Sequence, residues 1–322
     1  GVILEQARYP RPDLIASFQE LAETGCVEFL AMPYYASLAS LYSTGEFAEQ
    51  VQEHCDLIQE LFGQRPTVLW NTGMLYSNAI AAQAYDMGFE GIMADGNGRM
   101  MSNRNTNDLQ CAPLIDKTKT LLRHRHLSND LANRRTDPSW NEYPLSPYTF
   151  VDWLNAEQGQ VVNISMDYET LGERQPDTTG VFEFWRTMIT AALNAGNEFY
   201  TPGEAVRVFP STGTLNCPNP VSCSTFGTTT HWNGNVMQQE AIKKIYDLES
   251  PVKASEDRDM IHVWRKLQSA DHFHYMEKSN GFTPYPSPYD AYIYYMNALA
   301  DLQVRVKQEA ELIHKAHKVT TA

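Results

Sequence analysis

Residues 160–174 carry three carboxylates, Asp167, Glu169 and Glu173, directly after a run rich in β-branched residues that includes Val161, Val162 and Ile164. Such a run reads as a buried parallel strand, so the acids arrive where that strand should end. Strand ends are where barrels collect their reactive groups. Asp167 and Glu169 are two positions apart, so a continuing strand would project both to one face, whereas a chain turning at Tyr168 would separate them. The competing reading is a solvated acidic loop after a core strand, because charged side chains are mostly exposed.

The elements that must position these acids belong to a chain of 322 residues, 43% of them apolar, which is enough for a large core. One large α/β domain, or that plus an appendage, is expected. Lys and Arg number 25 against 39 Asp and Glu, a net charge of −14 that opposes phosphate backbones and anionic membranes. Neither nucleic acid nor a membrane is an expected partner. No apolar run approaches the roughly 20 residues of a membrane span, and no basic stretch precedes an apolar one at the start. The five cysteines are scattered, and Cys217 and Cys223, which bracket a turn-rich loop, read as free thiols. A reducing, cytoplasmic location is expected. The opening Val2-Ile3-Leu4 looks like the middle of a longer chain.

Helices are expected over 13–24, 46–62, 75–87, 146–153 and 180–193, and strands over 26–31, 67–70 and 91–94. Alternation of the two at this spacing predicts βαβ architecture with a parallel sheet. Residues 97–120 are polar and aperiodic and read as a long loop above the sheet. Residues 209–235, dense in Pro, Gly, Thr, Ser and Asn, read as a linker. Helical patterns follow over 236–248, 257–276 and 288–317, with Tyr292, Tyr295, Met296, Leu299 and Leu302 as a core stripe. The expected organisation is a barrel over 1–208, a linker over 209–235 and a helical domain over 236–322.

Two close histidine pairs, His124 with His126 and His272 with His274, raise a metal site. Paired Cys spacing and the H-E-x-x-H helix are absent, so no metal is assigned. Nucleotide fingerprints and a G-x-S-x-G elbow are also missing, and no cofactor is assigned. Trp70 stands at a strand end beside Asn71 and Thr72, where its ring either stacks on a sugar face or joins the core.

Several segments in order carry a resemblance: Gly1-Val2-Ile3-Leu4-Glu5-Gln6, Tyr34-Tyr35-Ala36-Ser37-Leu38, Trp70-Asn71-Thr72-Gly73, Asp167-Tyr168-Glu169-Thr170-Leu171-Gly172-Glu173, Asn235-Val236-Met237-Gln238 and Leu267-Gln268-Ser269-Ala270-Asp271-His272-Phe273. Together they resemble the α-amylase branch of glycoside hydrolase family 57. The likeness implies an incomplete (β/α)7 barrel followed by a helical domain, acting on α-glucans with retention. It implies Asp167 as acid/base, with Glu5, Trp70, Glu169, Asp271 and His272 as substrate-binding groups.

A retaining mechanism needs a second carboxyl about 5–5.5 Å from the first. The family draws it from an N-T-E motif, and here Gly73 occupies that place. Met32 and Ala36 also stand where the family usually has Glu and His. These departures leave two functions: an active α-glucan hydrolase or transferase with Asp95 or Glu169 as the replacement carboxylate, or an inactive glucan-binding or assembly homologue. A metal-dependent hydrolase would require His124 and His126 to converge on Asp167. The absence of the family's first strands implies an open sheet edge for a partner or a second copy to cover. If Asp167 sits in an otherwise preserved pocket, Gly73→Glu should restore a small activity.

Overall fold

Strands of a parallel sheet are covered by helices on both faces, so their side chains must be apolar in both directions. The strands at the centre of this protein follow that rule. The computed structural model describes residues 1–101, 104–278 and 283–320. β1 (Val68–Trp70), β2 (Gly91–Asp95), β3 (Gln110–Cys111) and β4 (Lys119–Arg123) lie in the order β1-β2-β4-β3. The first three in that order are parallel, and β3 is antiparallel to β4. Single parallel bridges, Ala31 to Leu69 and Arg123 to Asn163, add one backbone position on each side. The α/β class and parallel pairing are as expected, but the strands predicted over 26–31 and within 160–174 shrink to these bridging residues.

Side chains alternate across the sheet. Leu69, Ile92, Ala94 and Leu122 point into one cluster with Phe47 and Ile80, while Val68, Met93 and Leu121 point into another with Ala205 and Val206. Gly91 lets the second layer close in, since a Cβ there would stand 2.8 Å from Val206 Cγ1. β4 was hidden from the sequence reading because its start lies at the end of the polar stretch read as a loop.

The covering helices are α1 (Val2–Arg8), α2 (Pro12–Glu23), α3 (Ala39–Tyr42), α4 (Thr44–Phe62), α5 (Asn78–Asp86), α6 (Gly98–Met101), α7 (Arg125–Asn129), α8 (Pro147–Ala156), α9 (Val181–Asn194) and α10 (Pro202–Val208). In α4 the Ser43 side chain accepts the Glu46 N–H, and Gly63 closes the helix at φ 68°, a left-handed value that costs glycine little. Phe47, Val51, Cys55, Ile58 and Phe62 form its buried stripe, as the periodicity requires.

Residues 209–235 are threaded through the core. Val221 bridges Tyr76, Thr214 bridges Cys111, and Leu215, Cys217, Val221 and Trp232 are buried with the sheet's first face. The turn-forming composition supplies corners, and the few apolar residues between them supply anchors. Beyond α11 (Thr230–Asn233) come α12 (Val236–Asp247), α13 (Glu249–Ala254), α14 (Arg258–Lys266), α15 (Ala270–His274) and α16 (Pro288–Thr320). The helix expected over 257–276 breaks at 267–269, where the chain turns and makes an isolated bridge: Ser269 pairs with Ser37, and Ala270 N–H donates to Ala36 O at 3.0 Å. Trp264, Phe273, Tyr295, Leu299 and Leu302 share one core cluster with Leu69 and Ile92. Among the described residues no helix is long and apolar enough to cross a membrane.

On α4, His54 is 3% exposed, and burial pushes its imidazole down to about 3. The unfolded chain therefore binds a proton below about pH 6.5 that the folded chain refuses, so folding stability falls as pH drops through the window from about 6.5 toward 3. Each pH unit in that window costs about 1.4 kcal/mol from this one group. His54→Gln is expected to flatten the acid limb of a plot of unfolding free energy against pH by about that slope. An unchanged slope would rule out His54 as its source.

Candidate active site

Parallel strands deliver their last residues to one edge of the sheet, and here those residues are Trp70, Asp95 and Arg123. The bridge from Arg123 to Asn163 brings residues 163–170 to the same edge. Asp95, Asp167 and Glu169 therefore stand at one edge of the sheet.

After Trp70 the chain turns tightly. Asn71 is fully buried; its Oδ1 accepts the Thr72 N–H, and its Nδ2 donates to Ser40 Oγ at 2.9 Å and Leu75 O at 3.1 Å. This leaves Gly73 at φ 54°, ψ 29°. A Cβ built on Gly73 would lie 2.4 Å from Cη2 and 2.8 Å from Cζ2 of Trp232. The indole of Trp232, 6% exposed, thus occupies the space that a side chain at position 73 would need. The expectation that Gly73→Glu restores activity assumed an otherwise preserved pocket, and this packing removes that premise.

Asp95 ends β2 with no solvent exposure. Its Oδ1 accepts from Arg123 Nη1 at 3.1 Å and its Oδ2 from Arg125 Nη1 at 2.7 Å. Arg123 also donates to Ser165 O at 2.9 Å and Asn129 Oδ1 at 2.6 Å, and Arg125 donates to Ser224 O at 2.9 Å and Thr225 O at 3.0 Å. One carboxylate and two guanidinium groups therefore clamp β2, β4, the 163–170 segment and the 222–228 loop. To attack a sugar, Asp95 would have to surrender a buried ion pair.

Asp167 is the opposite case. The chain leaves its bridge at Asn163, reaches Asp167 in extended conformation and coils into a single turn over Tyr168–Thr170. Asp167 and Glu169 are both exposed, and the turn separates them. Asp167 Oδ2 accepts from Arg174 Nη1 at 2.7 Å, and Arg174 N–H donates to Glu169 O at 2.9 Å. A solvated carboxylate held by one arginine can still exchange a proton with a bound leaving group.

Cys223 links these parts. Its N–H donates to Gly73 O at 2.9 Å. Burial pushes its thiol up to about 11, with the Asp95 and Asp167 charges adding to the rise and Arg123 opposing it. The residue itself is exposed. A thiol shifted this way stays protonated at neutral pH and is a poor nucleophile. Cys217 is also free, bonded through Sγ to Asn219 O.

The other expected site residues are dispersed. Trp70 is half-buried and packs against the cluster of Val68, Met93 and Leu121. Glu5, on α1, accepts from the Tyr34 hydroxyl at 3.2 Å. Asp271 is exposed on α15, whereas His272 faces Lys266 O at 3.2 Å and the Tyr295 ring at 5.4 Å, with burial lowering its pKa. His124 Nε2 faces Glu157 Oε1 at 3.3 Å, and its Nδ1 accepts the Leu127 N–H. Among the described residues no three His, Cys, Asp or Glu side chains converge as a metal site.

The sequence reading missed Trp232, Arg123, Arg125, Cys223 and Arg174 as members of this site. Only Arg174 carried a local signal, since it directly follows the acidic motif.

The model of the family described as Glycosyl hydrolase family 57 matches residues 1–218. A protein of Methanocaldococcus jannaschii named "Putative alpha-amylase" is 32% identical over 329 aligned positions, covering 96% of this chain and 70% of that one. The GH57-type branching enzyme from Pyrococcus horikoshii superposes with a TM-score of 0.70 at 14% identity, over 92% of this chain and 67% of the enzyme. The 4-alpha-glucanotransferase from Thermococcus litoralis superposes with a TM-score of 0.67 at 13% identity, over 85% of this chain. This chain spans about half of that glucanotransferase, 48%. The family match over 1–218, the relative at 32% identity and the shared fold agree, and the chain belongs to glycosyl hydrolase family 57.

Proposed function

We propose that the chain binds α-glucans at the cleft formed by the C-terminal ends of β1, β2 and β4, without carrying out retaining glycoside hydrolysis. The α-glucan half of this reading draws on the names of its relatives, a "Putative alpha-amylase", a branching enzyme and a 4-alpha-glucanotransferase. One observation carries the other half: Gly73 has no carboxylate, and Trp232 fills the space that one would use. A retaining glycosidase needs an attacking carboxylate opposite its acid/base. Asp167 keeps the acid/base position, but Asp95 is committed to Arg123 and Arg125.

The test is calorimetric titration with maltoheptaose alongside a long incubation with soluble starch, followed by assay of reducing ends. The expected result is saturable binding with reducing ends no higher than in the blank. Steady release of reducing ends by the unaltered protein would overturn the non-hydrolytic reading, and no heat of binding would overturn the glucan reading. Trp70→Ala is expected to weaken maltoheptaose binding about tenfold, or about 1.4 kcal/mol, by removing a half-buried ring at the cleft edge. Unchanged affinity in that variant would place the sugar elsewhere.

A further inference from the structure

Behind the Trp232 plug, the neighbouring residue of α11 faces a separate cavity. Asn233, Tyr42 of α3, and Gln239, Lys243, Tyr246 and Asp247 of α12 line a space of about 380 Å³. That is at the small end of the roughly 300–1,000 Å³ typical of small-molecule sites. We propose that it is a second carbohydrate site, separate from the cleft, that takes a short stretch or an end of an α-glucan chain; the choice of glucan rests on the reading above.

The walls suit a sugar in two respects. The rings of Tyr42 and Tyr246 pack against each other, 5.1 Å apart at an interplanar angle of 32°, so Tyr246 braces Tyr42 and leaves its outer face for the apolar face of a hexose ring. Tyr42 is 40% exposed, so its ring is available at the mouth. Around the Tyr42 ring stand two amides, an ammonium and a carboxylate, which supply donors and acceptors for adjacent hydroxyls. They are already held in place: Asn233 Nδ2 donates to the Tyr42 hydroxyl at 3.4 Å, Gln239 Nε2 donates to Asn233 O at 3.0 Å, and Lys243 pairs with Asp247. Mutual charge compensation within the lining disfavours a charged ligand and leaves a neutral, polyhydroxylated one.

The experiment is titration of maltotriose into the full chain and into Tyr42→Ala, Gln239→Ala/Lys243→Ala and Trp70→Ala variants. Gln239 and Lys243 are exposed, so the double variant keeps the test valid if Tyr42→Ala fails to fold. Two molecules of maltotriose per chain are expected, with one class weakened at least tenfold by Tyr42→Ala and by the double variant, and the other class weakened by Trp70→Ala. A single class that responds to Trp70→Ala and to neither of the other changes would overturn the second site while leaving the cleft reading intact. A single class that responds only to the Tyr42 and double variants would sustain the second site and overturn the cleft reading. No binding at all would overturn both.

Discussion

Gly73→Glu should be destabilised by about 2–5 kcal/mol and should gain no glycosidase activity. Two costs add. Overpacking a closed interior costs roughly 1–3 kcal/mol, and a side chain in the left-handed region costs about 1–2 kcal/mol more. At Gly73 both apply, because φ is 54° and the new Cβ overlaps Trp232. The carboxylate cannot reach a productive position while the indole fills its path. Trp232→Ala alone should cost roughly 3–5 kcal/mol by leaving a cavity. The double variant, Gly73→Glu with Trp232→Ala, should be less destabilised than the sum of the two, since each change relieves the other, with a coupling of roughly 1–3 kcal/mol. Urea unfolding of the four proteins in the cycle measures this. Simple additivity would show that the two positions do not compete for space, and a rise in reducing ends from Gly73→Glu alone would show that the pocket is intact after all.

Asp95→Asn should be the most damaging single change at the sheet edge. It preserves shape but removes the negative charge that balances two guanidinium groups at 3.1 and 2.7 Å. Breaking a buried ion pair from one side costs roughly 3–5 kcal/mol, because the charge left behind is neither hydrated nor paired. Asp167→Asn breaks an ion pair of similar length, 2.7 Å, yet its carboxylate is 63% exposed. Exposed pairs are worth roughly 0–1 kcal/mol, so this variant should unfold within about 1 kcal/mol of the parent. Chemical denaturation of the two side by side separates a structural clamp from a solvated acid. If Asp95→Asn were as stable as the parent, Asp95 would be free for chemistry and the non-hydrolytic reading would lose its main physical support.

Local signals in the sequence were reliable where one element buries one stripe. The periodicity of α4, the Ser-Pro start of α8 and the apolar residues of β2 each correspond to observed structure. The acidic motif was also legible, as was its turn at Tyr168 as one of two alternatives. What could not be read depends on contacts between distant segments. The 160–166 run has strand composition, but among the described residues its one bridge is at Asn163, and Asn107, Arg123 and Ser128 take up neighbouring backbone groups. Asp95 looked like a spare carboxylate because its two arginines lie beyond a stretch read as loop. Trp232 looked like one core aromatic among several because nothing in its own neighbourhood names Gly73. The break between α14 and α15 came from Ser37, far away in the chain, recruiting Ser269 into a bridge.

The shared core has a consequence for how this protein is made. Leu69 and Ile92 are synthesised early, but the cluster that buries them also needs Trp264, Phe273, Tyr295, Leu299 and Leu302. Chains emerge from the ribosome at roughly 5–20 residues per second, and domains usually fold as they emerge. Here Phe47 and Ile80 can cover part of the sheet's first face early, but the rest of it must wait until residues near 300 have been made. For tens of seconds at the slow end of that range the nascent chain presents partly covered apolar strands, the condition under which neighbouring chains on one message stick together. A ribosome stalled just after position 235 should therefore hold a protease-sensitive, chaperone-bound chain, and one stalled on a long flexible extension added after position 322 should hold a resistant one.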